Sequence, residues 1–291
     1  MSYSTHDTNS FTLRVTSPAA PGLIAAVTGH LAAKGCYINE LAQYDDQRIQ
    51  RFFMRCVFAL PDSGRTVDQI LDAEFQEKAV ARSMSWQVRG ALKRQRVLIL
   101  VSKFDHCLRD LLYRWECGDL QMDVAGIVSN HDALASIADR YGIPYFHIPV
   151  TAHTKSAAEN SLRDLLARLK VDLVVLARYM QILSDELSHE LRGMCINIHH
   201  SFLPSFKGGS PYAQAHARGV KLVGATAHYV TGDLDEGPII EQDVRRIDHR
   251  YTTEELQALG RDVESAVLAR AVRLHLEDRI FIDGAKTIVF A

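Results

Sequence analysis

Val97-Leu98-Ile99-Leu100-Val101 is an unbroken apolar run, and Val124-Ala125-Gly126-Ile127-Val128 and Leu173-Val174-Val175-Leu176-Ala177 repeat it downstream. A strand without polar side chains has no face to offer water, so these runs predict strands buried on both sides. Helical spacing over residues 107–115, 133–141 and 162–169 falls between and after them, and residues 144–148 read as extended. Strands alternating with helices predict an α/β fold with a mostly parallel sheet covered on both faces. Ligands of such sheets bind beyond the carboxyl ends of the strands. The loops after Val101, Ala177 and Ile198 are therefore where a site is expected.

The chain ahead of this sheet has a different character. Phe11, Leu13 and Val15 alternate with polar residues, as in a half-buried strand. Leu23, Ile24, Val27 and Leu31 recur at helical spacing after Pro21, and Gly35 is placed to cap that helix. Residues 36–44 and 52–60 read as strands joined across the polar turn 45–50. Val67, Ile70, Leu71 and Phe75 predict a second helix, and residues 80–88 a last strand. Strand, helix, strand, strand, helix, strand is the order of a ferredoxin-like α+β domain. Arg89, Lys93, Arg94 and Arg96 then read as a solvated linker, since the run lacks the interleaved aromatics of a nucleic-acid surface. The expected domains are 1–90 and 91–291.

Toward the C-terminus, Thr252 and Glu255 form a capping-box pair ahead of Leu256, Leu259, Val263, Val267 and Leu274, which line one face of a long helix. Residues 280–282 and 287–290 predict a small terminal hairpin, and no catalytic role is assigned to these last elements.

The chain has 291 residues, which suits two domains at roughly 150 residues each. Lys and Arg number 33 against 35 Asp and Glu, and a formal charge of −2 argues against a protein that coats nucleic acid or an acidic membrane. No apolar run reaches the roughly 18 residues that span a bilayer, and residues 1–10 lack a signal-peptide pattern. The expectation is a soluble, cytoplasmic protein without nucleic-acid or membrane partners. The 5 cysteines, Cys36, Cys56, Cys107, Cys117 and Cys195, contain no CxxC pair, so buried reduced thiols are expected rather than disulfides or structural zinc.

Chemistry concentrates in two places. In Ile196-Asn197-Ile198-His199-His200-Ser201-Phe202-Leu203-Pro204, Asn197 and His199 alternate with apolar residues, which puts an amide and an imidazole on one strand face. The second place runs from Thr226-Ala227-His228-Tyr229 into Asp233-Leu234-Asp235-Glu236-Gly237-Pro238. His228 falls on a probable strand and the acids on a loop. Although 13 histidines invite a metal reading, no HExxH or comparable ligand spacing is present, and no metal is expected. Nor is there a GxSxG elbow, and Cys195 sits between Met194 and Ile196 as in an ordinary buried strand. Donors aimed at an oxyanion, with a base for water, fit hydrolytic acyl chemistry best.

At these residues the chain resembles a known family. Asn197-Ile198-His199, Leu203-Pro204 and Leu234-Asp235-Glu236-Gly237-Pro238 resemble the Asn, His and Asp constellation of folate-dependent formyltransferases, whose catalytic domain is Rossmann-like. Val175-Leu176-Ala177-Arg178-Tyr179-Met180-Gln181-Ile182-Leu183 is similar to their folate-pocket segment. Val101-Ser102-Lys103-Phe104-Asp105-His106-Cys107-Leu108 has no glycine where glycinamide ribonucleotide formyltransferases carry a glycine-rich phosphate loop. Pro21-Gly22-Leu23 and Gly35-Cys36-Tyr37-Ile38-Asn39 resemble an ACT domain, and an ACT module ahead of this fold is the arrangement of formyltetrahydrofolate deformylases.

The resemblance implies hydrolysis of 10-formyltetrahydrofolate to formate and tetrahydrofolate, supplying formate for purine synthesis and balancing one-carbon folate pools. Asn197, His199 and Asp235 are then the catalytic residues, with His228 behind them to orient Asp235. Met180, Gln181, Ile182 and Leu183 contact the folate, which is substrate rather than cofactor, and no other cofactor is expected. Gly22, Gly35 and Asn39 are implied in binding an amino-acid effector such as glycine or methionine, and ACT pairing implies a homo-oligomer, dimer or tetramer. The alternatives are a formyltransferase with an amine acceptor and a non-catalytic folate or amino-acid sensor. Lys207-Gly208-Gly209 is a candidate loop for closing over substrate.

Overall fold

The computed structural model describes residues 9–62, 64–203 and 211–291. Pro204 and Lys207-Gly208-Gly209 lie outside the described residues. The chain divides into two compact units, one of residues up to Arg94 with Phe290–Ala291, the other Gln95–Val289, so the division falls after Arg94 rather than after residue 90.

The first unit contains β1 (Ser10–Pro18), α1 (Leu23–Ala33), β2 (Tyr37–Asp46), β3 (Arg51–Ala59), α2 (Val67–Ile70), α3 (Ala73–Ala81) and β4 (Ser85–Gly90). Its antiparallel sheet has the order β2-β3-β1-β4, the α+β arrangement expected from the sequence. Leu13, Val15, Met54, Cys56 and Phe58 pack from the sheet against Leu23, Val27, Leu31 and Phe75 from the helices. Gly35 takes φ +82° just beyond α1 and donates to the Ala32 carbonyl, while the Cys36 N–H donates to Leu31, each at 3.0 Å. This paired closure satisfies carbonyls at the helix end and uses the left-handed conformation that glycine adopts freely.

Several local expectations are corrected here. Ile24 is 38% exposed and stands outside the core. The second helix is two pieces, because the Asp72 side chain accepts the Phe75 N–H and starts α3 afresh. Val80, expected on a strand, is on α3 and 70% exposed, and β4 begins only at Ser85. The basic linker is shorter than expected: Arg89 lies in β4 and Arg96 in the next strand, where its Nε donates to the Leu169 carbonyl at 2.6 Å. Cys117 is exposed rather than buried.

The second unit begins with β5 (Gln95–Val101), α4 (His106–Glu116), β6 (Met122–Ser129), α5 (Ala135–Tyr141), β7 (Tyr145–His147), α6 (Lys155–Leu169) and β8 (Leu173–Leu176). It continues with α7 (Asp185–Glu190), β9 (Cys195–His199), α8 (Pro211–Ala217), β10 (Leu222–Tyr229), β11 (Ile239–Arg246), α9 (Thr253–Leu276) and the hairpin β12 (Ile280–Asp283)–β13 (Lys286–Val289). The main sheet runs β11-β10-β9-β8-β5-β6-β7, parallel from β9 to β7, with β10 antiparallel to both its neighbours.

Alternate residues of one strand enter different layers, which accounts for the unbroken apolar runs. Ile99, Val101, Val175 and Ile196 meet Leu108, Leu111, Val263 and Val267 of α4 and α9. Leu98, Leu100, Val174 and Leu176 meet Leu162, Leu165 and Leu187 of α6 and α7. The capping box of α9 is closed in both directions, Glu255 N–H to Thr252 Oγ1 at 3.2 Å and Thr252 N–H to Glu255 Oε2 at 2.8 Å. The chain leaves β5 toward β6 and β7, then returns to β8 on the other side of β5. The carboxyl ends of β5 and β8 thus flank a topological switch point, where two outgoing loops diverge and leave a crevice.

Candidate active site

A cleft of about 590 Å³ opens at that crevice. Phe104 and His106 after β5, Leu176 at the end of β8 with residues 178–183 beyond it, residues 197–200 at the end of β9 and residues 230–235 after β10 line it. These include all the loops expected from the strand pattern.

Ser102 ties the floor together. Its hydroxyl is buried, donates to Asn130 Oδ1 at 2.6 Å and accepts the Met180 N–H at 3.0 Å, linking the ends of β5, β6 and β8. The far end of the 177–184 loop is held by the Ser184 N–H on Glu159 Oε1 at 2.7 Å. Between these anchors Met180 and Ile182 are 52% and 61% exposed, whereas Leu183 packs into the core. Phe104 and Leu234 add further exposed apolar surface on the same cleft. Large apolar side chains left in water around a concave site are what an aromatic ligand covers.

The polar constellation follows from strand register. Asn197 and His199 project to one side of β9, while Ile196 and Ile198 enter the core on the other. On β10, His228 pairs opposite Asn197 and Thr226 opposite His199. A register shift between Ala227 and His228 marks a bulge against β11, a device that re-aims side chains. The Asn197 Nδ2 and His228 Nε2 atoms are 3.2 Å apart, and His228 Nδ1 is 2.9 Å from the Tyr229 carbonyl. A carbonyl only accepts, so the hydrogen on Nδ1 points to Tyr229, and the Asn197 amide faces Nε2. Since that amide has a second N–H, Asn197 keeps a donor to offer elsewhere.

Asp235 joins this group from the loop. Its Oδ2 lies 3.2 Å from His199 Nδ1 and its Oδ1 lies 3.6 Å from His228 Nε2, with the carboxylate side chain 12% exposed. Asp235 has φ +57°, a left-handed conformation that aspartate tolerates better than most residues. Gly237 makes the turn possible in another way, because a Cβ there would lie 1.7 Å from the Tyr229 carbonyl oxygen. Burial alone pushes the Asp235 carboxyl up, but the contacts with His199 and His228 outweigh it and hold the group well below the usual carboxylate range. His199 is buried, and its Nε2 has no hydrogen-bond partner among the described residues. With Nδ1 committed to Asp235, Nε2 is the nitrogen left for substrate. Asn197, His199, Asp235 and His228 are thus brought together, as the sequence reading required.

A second polar cluster lines the cleft, and the sequence reading missed it. Glu264 of α9 is 1% exposed; its Oε2 lies 2.8 Å from His106 Nε2 and 3.4 Å from Arg178 Nε, and its Oε1 accepts the Tyr212 hydroxyl at 2.7 Å. Burial raises the Glu264 carboxyl, yet His106, Arg178 and Tyr212 together keep it below its ordinary value. Burial and then the Arg178 charge push His200 down to about 4. His106, Cys107 and Glu264 stand close enough for a metal, but burial drives the Cys107 thiol up and Arg178 and Tyr212 already face the carboxylate. The C-terminal elements, given no catalytic role from the sequence, nonetheless reach the site: Gln257, Arg261 and Glu264 of α9 line the cleft. Burial also raises the Cys195 thiol, consistent with an inert strand residue.

The residues expected to bind an effector are differently placed. Gly22 precedes α1 and Gly35 follows it, so they stand at opposite ends of an 11-residue helix, about 16 Å long at 1.5 Å per residue. Asn39, on β2, is exposed.

Comparison with known proteins shows the family. A family model described as formyl transferase matches residues 95–272. A formyltetrahydrofolate deformylase of Corynebacterium sp. (strain P-1) is 50% identical over 277 residues, 95% of this chain and 96% of its own. The chain belongs to the formyltetrahydrofolate deformylase family. A deformylase structure from Burkholderia mallei superposes with a TM-score of 0.92 at 51% identity, over 97% of this chain and all (100%) of that one. By contrast, glycinamide ribonucleotide transformylase 1 from Symbiobacterium toebii covers 68% of this chain and 95% of its own, with a TM-score of 0.64 and 30% identity. The similarity to deformylases therefore spans both units, whereas that to this transformylase extends over only part of the chain.

Proposed function

We propose that the protein hydrolyses 10-formyltetrahydrofolate to formate and tetrahydrofolate. The observation that carries this reading is the meeting of Asn197, His199 and Asp235 at an apolar-lipped cleft, in a chain similar over nearly its whole length to deformylases. The pterin ring lies against the 179–183 segment, where Met180 and Ile182 present apolar surface and the backbone presents hydrogen-bonding groups. The formyl oxygen takes the spare Asn197 N–H and the Nε2–H of protonated His199, and both bonds strengthen as the oxygen gains negative charge. Asp235 orients the ring from its Nδ1 side, positions the attacking water and accepts a proton from it. Water adds to the formyl carbon; the C–N10 bond then breaks, and N10 leaves with a proton. N10 is attached to an aromatic ring, which makes it a better leaving group than an alkyl amide nitrogen. In this reading folate is the substrate, and no resident metal or cofactor takes part.

The first unit is proposed to be an ACT-like module that governs assembly and binds an amino acid such as glycine or methionine. Its sheet order and the caps of α1 support this. Because Gly22 and Gly35 stand at opposite ends of α1, an effector touching both would have to lie between two copies of the chain. Titrating amino acids during turnover checks the point; no change in rate or affinity leaves only the assembly role. A homo-oligomeric enzyme of the cytoplasm, delivering formate to purine synthesis, completes the proposal. Among the described residues no helix is long and apolar enough to cross a membrane.

The test is acceptor-free incubation with 10-formyltetrahydrofolate. Formate and tetrahydrofolate released in equal amounts support hydrolysis. Product formed only when an amine is supplied supports transfer, and binding without product supports a sensor.

A further inference from the structure

A hydrolase that holds an activated formyl group must keep amines from taking it, because an amine is a better nucleophile than water. The wall of the cleft not used by the folate segment or the catalytic residues is occupied by side chains of this chain itself. Arg178 leaves β8 with φ +66°, a conformation disfavoured for a residue with a Cβ, and its buried side chain turns to Glu264 at 3.4 Å. The Arg178 guanidinium carbon lies 5.2 Å from the centre of the Phe104 ring. Its Nε has no hydrogen-bond partner among the described residues.

Around Glu264 the fit is close. A Cβ on Gly260, one turn earlier on α9, would lie 2.1 Å from the Tyr212 hydroxyl, so the glycine is what lets that hydroxyl pass over α9 to the carboxylate. The Tyr212 and His200 ring centres are 6.4 Å apart, and those of His200 and His199 are 5.0 Å apart. The cluster thus reaches from the loop after β5 to the neighbour of the catalytic imidazole. A left-handed arginine, a buried carboxylate and a glycine that leaves room for a tyrosine hydroxyl form an assembly that no step of the hydrolysis uses.

We infer that Arg178, held by Glu264, which His106 and Tyr212 in turn fix in place, fills the space beside the formyl group that an amine acceptor would need, and so restricts the reaction to water. The inference rests on the hydrolytic reading above. When the space is open, an amine nitrogen attacks the formyl carbon, the C–N10 bond breaks, the amine gives up a proton and N10 gains one; the products are a formamide and tetrahydrofolate. Arg178 is a specificity residue here, and it takes no part in bond making.

The test adds a small primary amine, glycinamide, to the full-length protein with 10-formyltetrahydrofolate, and measures both formate and N-formylglycinamide. Wild type should yield formate alone at every amine concentration. Arg178→Gly suits the left-handed backbone and removes the side chain, and Arg178→Ala is a second variant with the same opening. In either, formylated amine should appear beside formate, at a ratio about tenfold or more above the detection limit that wild type does not exceed, the scale on which a pocket contact discriminates. A role in stability alone would lower total turnover and leave that ratio unchanged. The ratio staying at the wild-type value in both variants would overturn the inference, as would formylglycinamide from wild type itself. Absence of formate from wild type in the amine-free control would instead sink the hydrolytic reading.

Discussion

Replacing Asp235 with asparagine keeps the shape of the side chain and removes its charge. The carboxylate accepts from His199 Nδ1 at 3.2 Å and faces His228 Nε2 at 3.6 Å, with little exposure to water. Hydrogen bonds between charged groups contribute about 1.5–3 kcal/mol against about 1 for neutral ones, so weakening the His199 contact costs about 1–2 kcal/mol. Removing the group that accepts a proton from water adds the loss typical of general-base catalysis, about 10²-fold or more. The lost proton transfer alone predicts a fall in kcat of about 10²-fold, equivalent to about 2.7 kcal/mol at 1.36 kcal/mol per tenfold, and the weakened His199 contact adds to it. The assay is the initial rate of formate release at saturating substrate. Folate affinity, measured separately by equilibrium dialysis, should change by about threefold at most, since the 179–183 segment is untouched. A kcat within about threefold of wild type would refute the reasoning.

The other predictions are more compact. His199→Ala and Asn197→Ala should each lower kcat by about 10²-fold, in the range for loss of one oxyanion donor, again read as formate release. Because the Asp235 carboxyl is held below its ordinary value of 3.8, its stabilisation is present above that pH and lost as the pH falls further. Asp235→Asn should therefore unfold more easily than wild type in neutral urea titrations, and the gap should close in strong acid. His200 is pushed down from 6.5 to about 4, so the unfolded chain takes up its proton first and stability falls as pH drops through that window. Replacing it with phenylalanine should flatten the dependence of Tm on pH between those values. Gly237→Ala places a Cβ 1.7 Å from the Tyr229 oxygen, so it should displace the Asp235 loop and lower both Tm and kcat. A Gly237→Ala protein with wild-type Tm and kcat would contradict that account of the turn.

Much of this was legible in the sequence because the signals were periodic. The unbroken runs at 97–101 and 173–177 required two covered faces, and the sheet has them. The alternation of Asn197 and His199 with isoleucines placed both polar groups on one face, and register then set His228 opposite Asn197. Reach across the fold was not legible. Asp235 was found by resemblance, since its approach depends on a bulge and on Gly237, neither of which leaves a periodic trace. Glu264 did leave a signal that went unused: it lies at helical spacing from Leu256 and Gly260, so a charge stands on the apolar face of α9. A charge so placed needs partners, and His106, Arg178 and Tyr212 supply them from three other segments of the chain. The broken second helix was missed because Asp72 reads as an ordinary polar residue until its side chain is seen to cap α3.

The central claim is that one amide, one imidazole and one carboxylate at the switch-point cleft release formate from a bound folate using water alone. It is tested most directly by comparing wild type with Asn197→Ala, His199→Ala and Asp235→Asn in acceptor-free single turnovers, with folate binding measured on the same samples. The account predicts formate and tetrahydrofolate in equal amounts from wild type, and variants that bind folate but release formate about 10²-fold more slowly. Release at the wild-type rate from all three variants would contradict it.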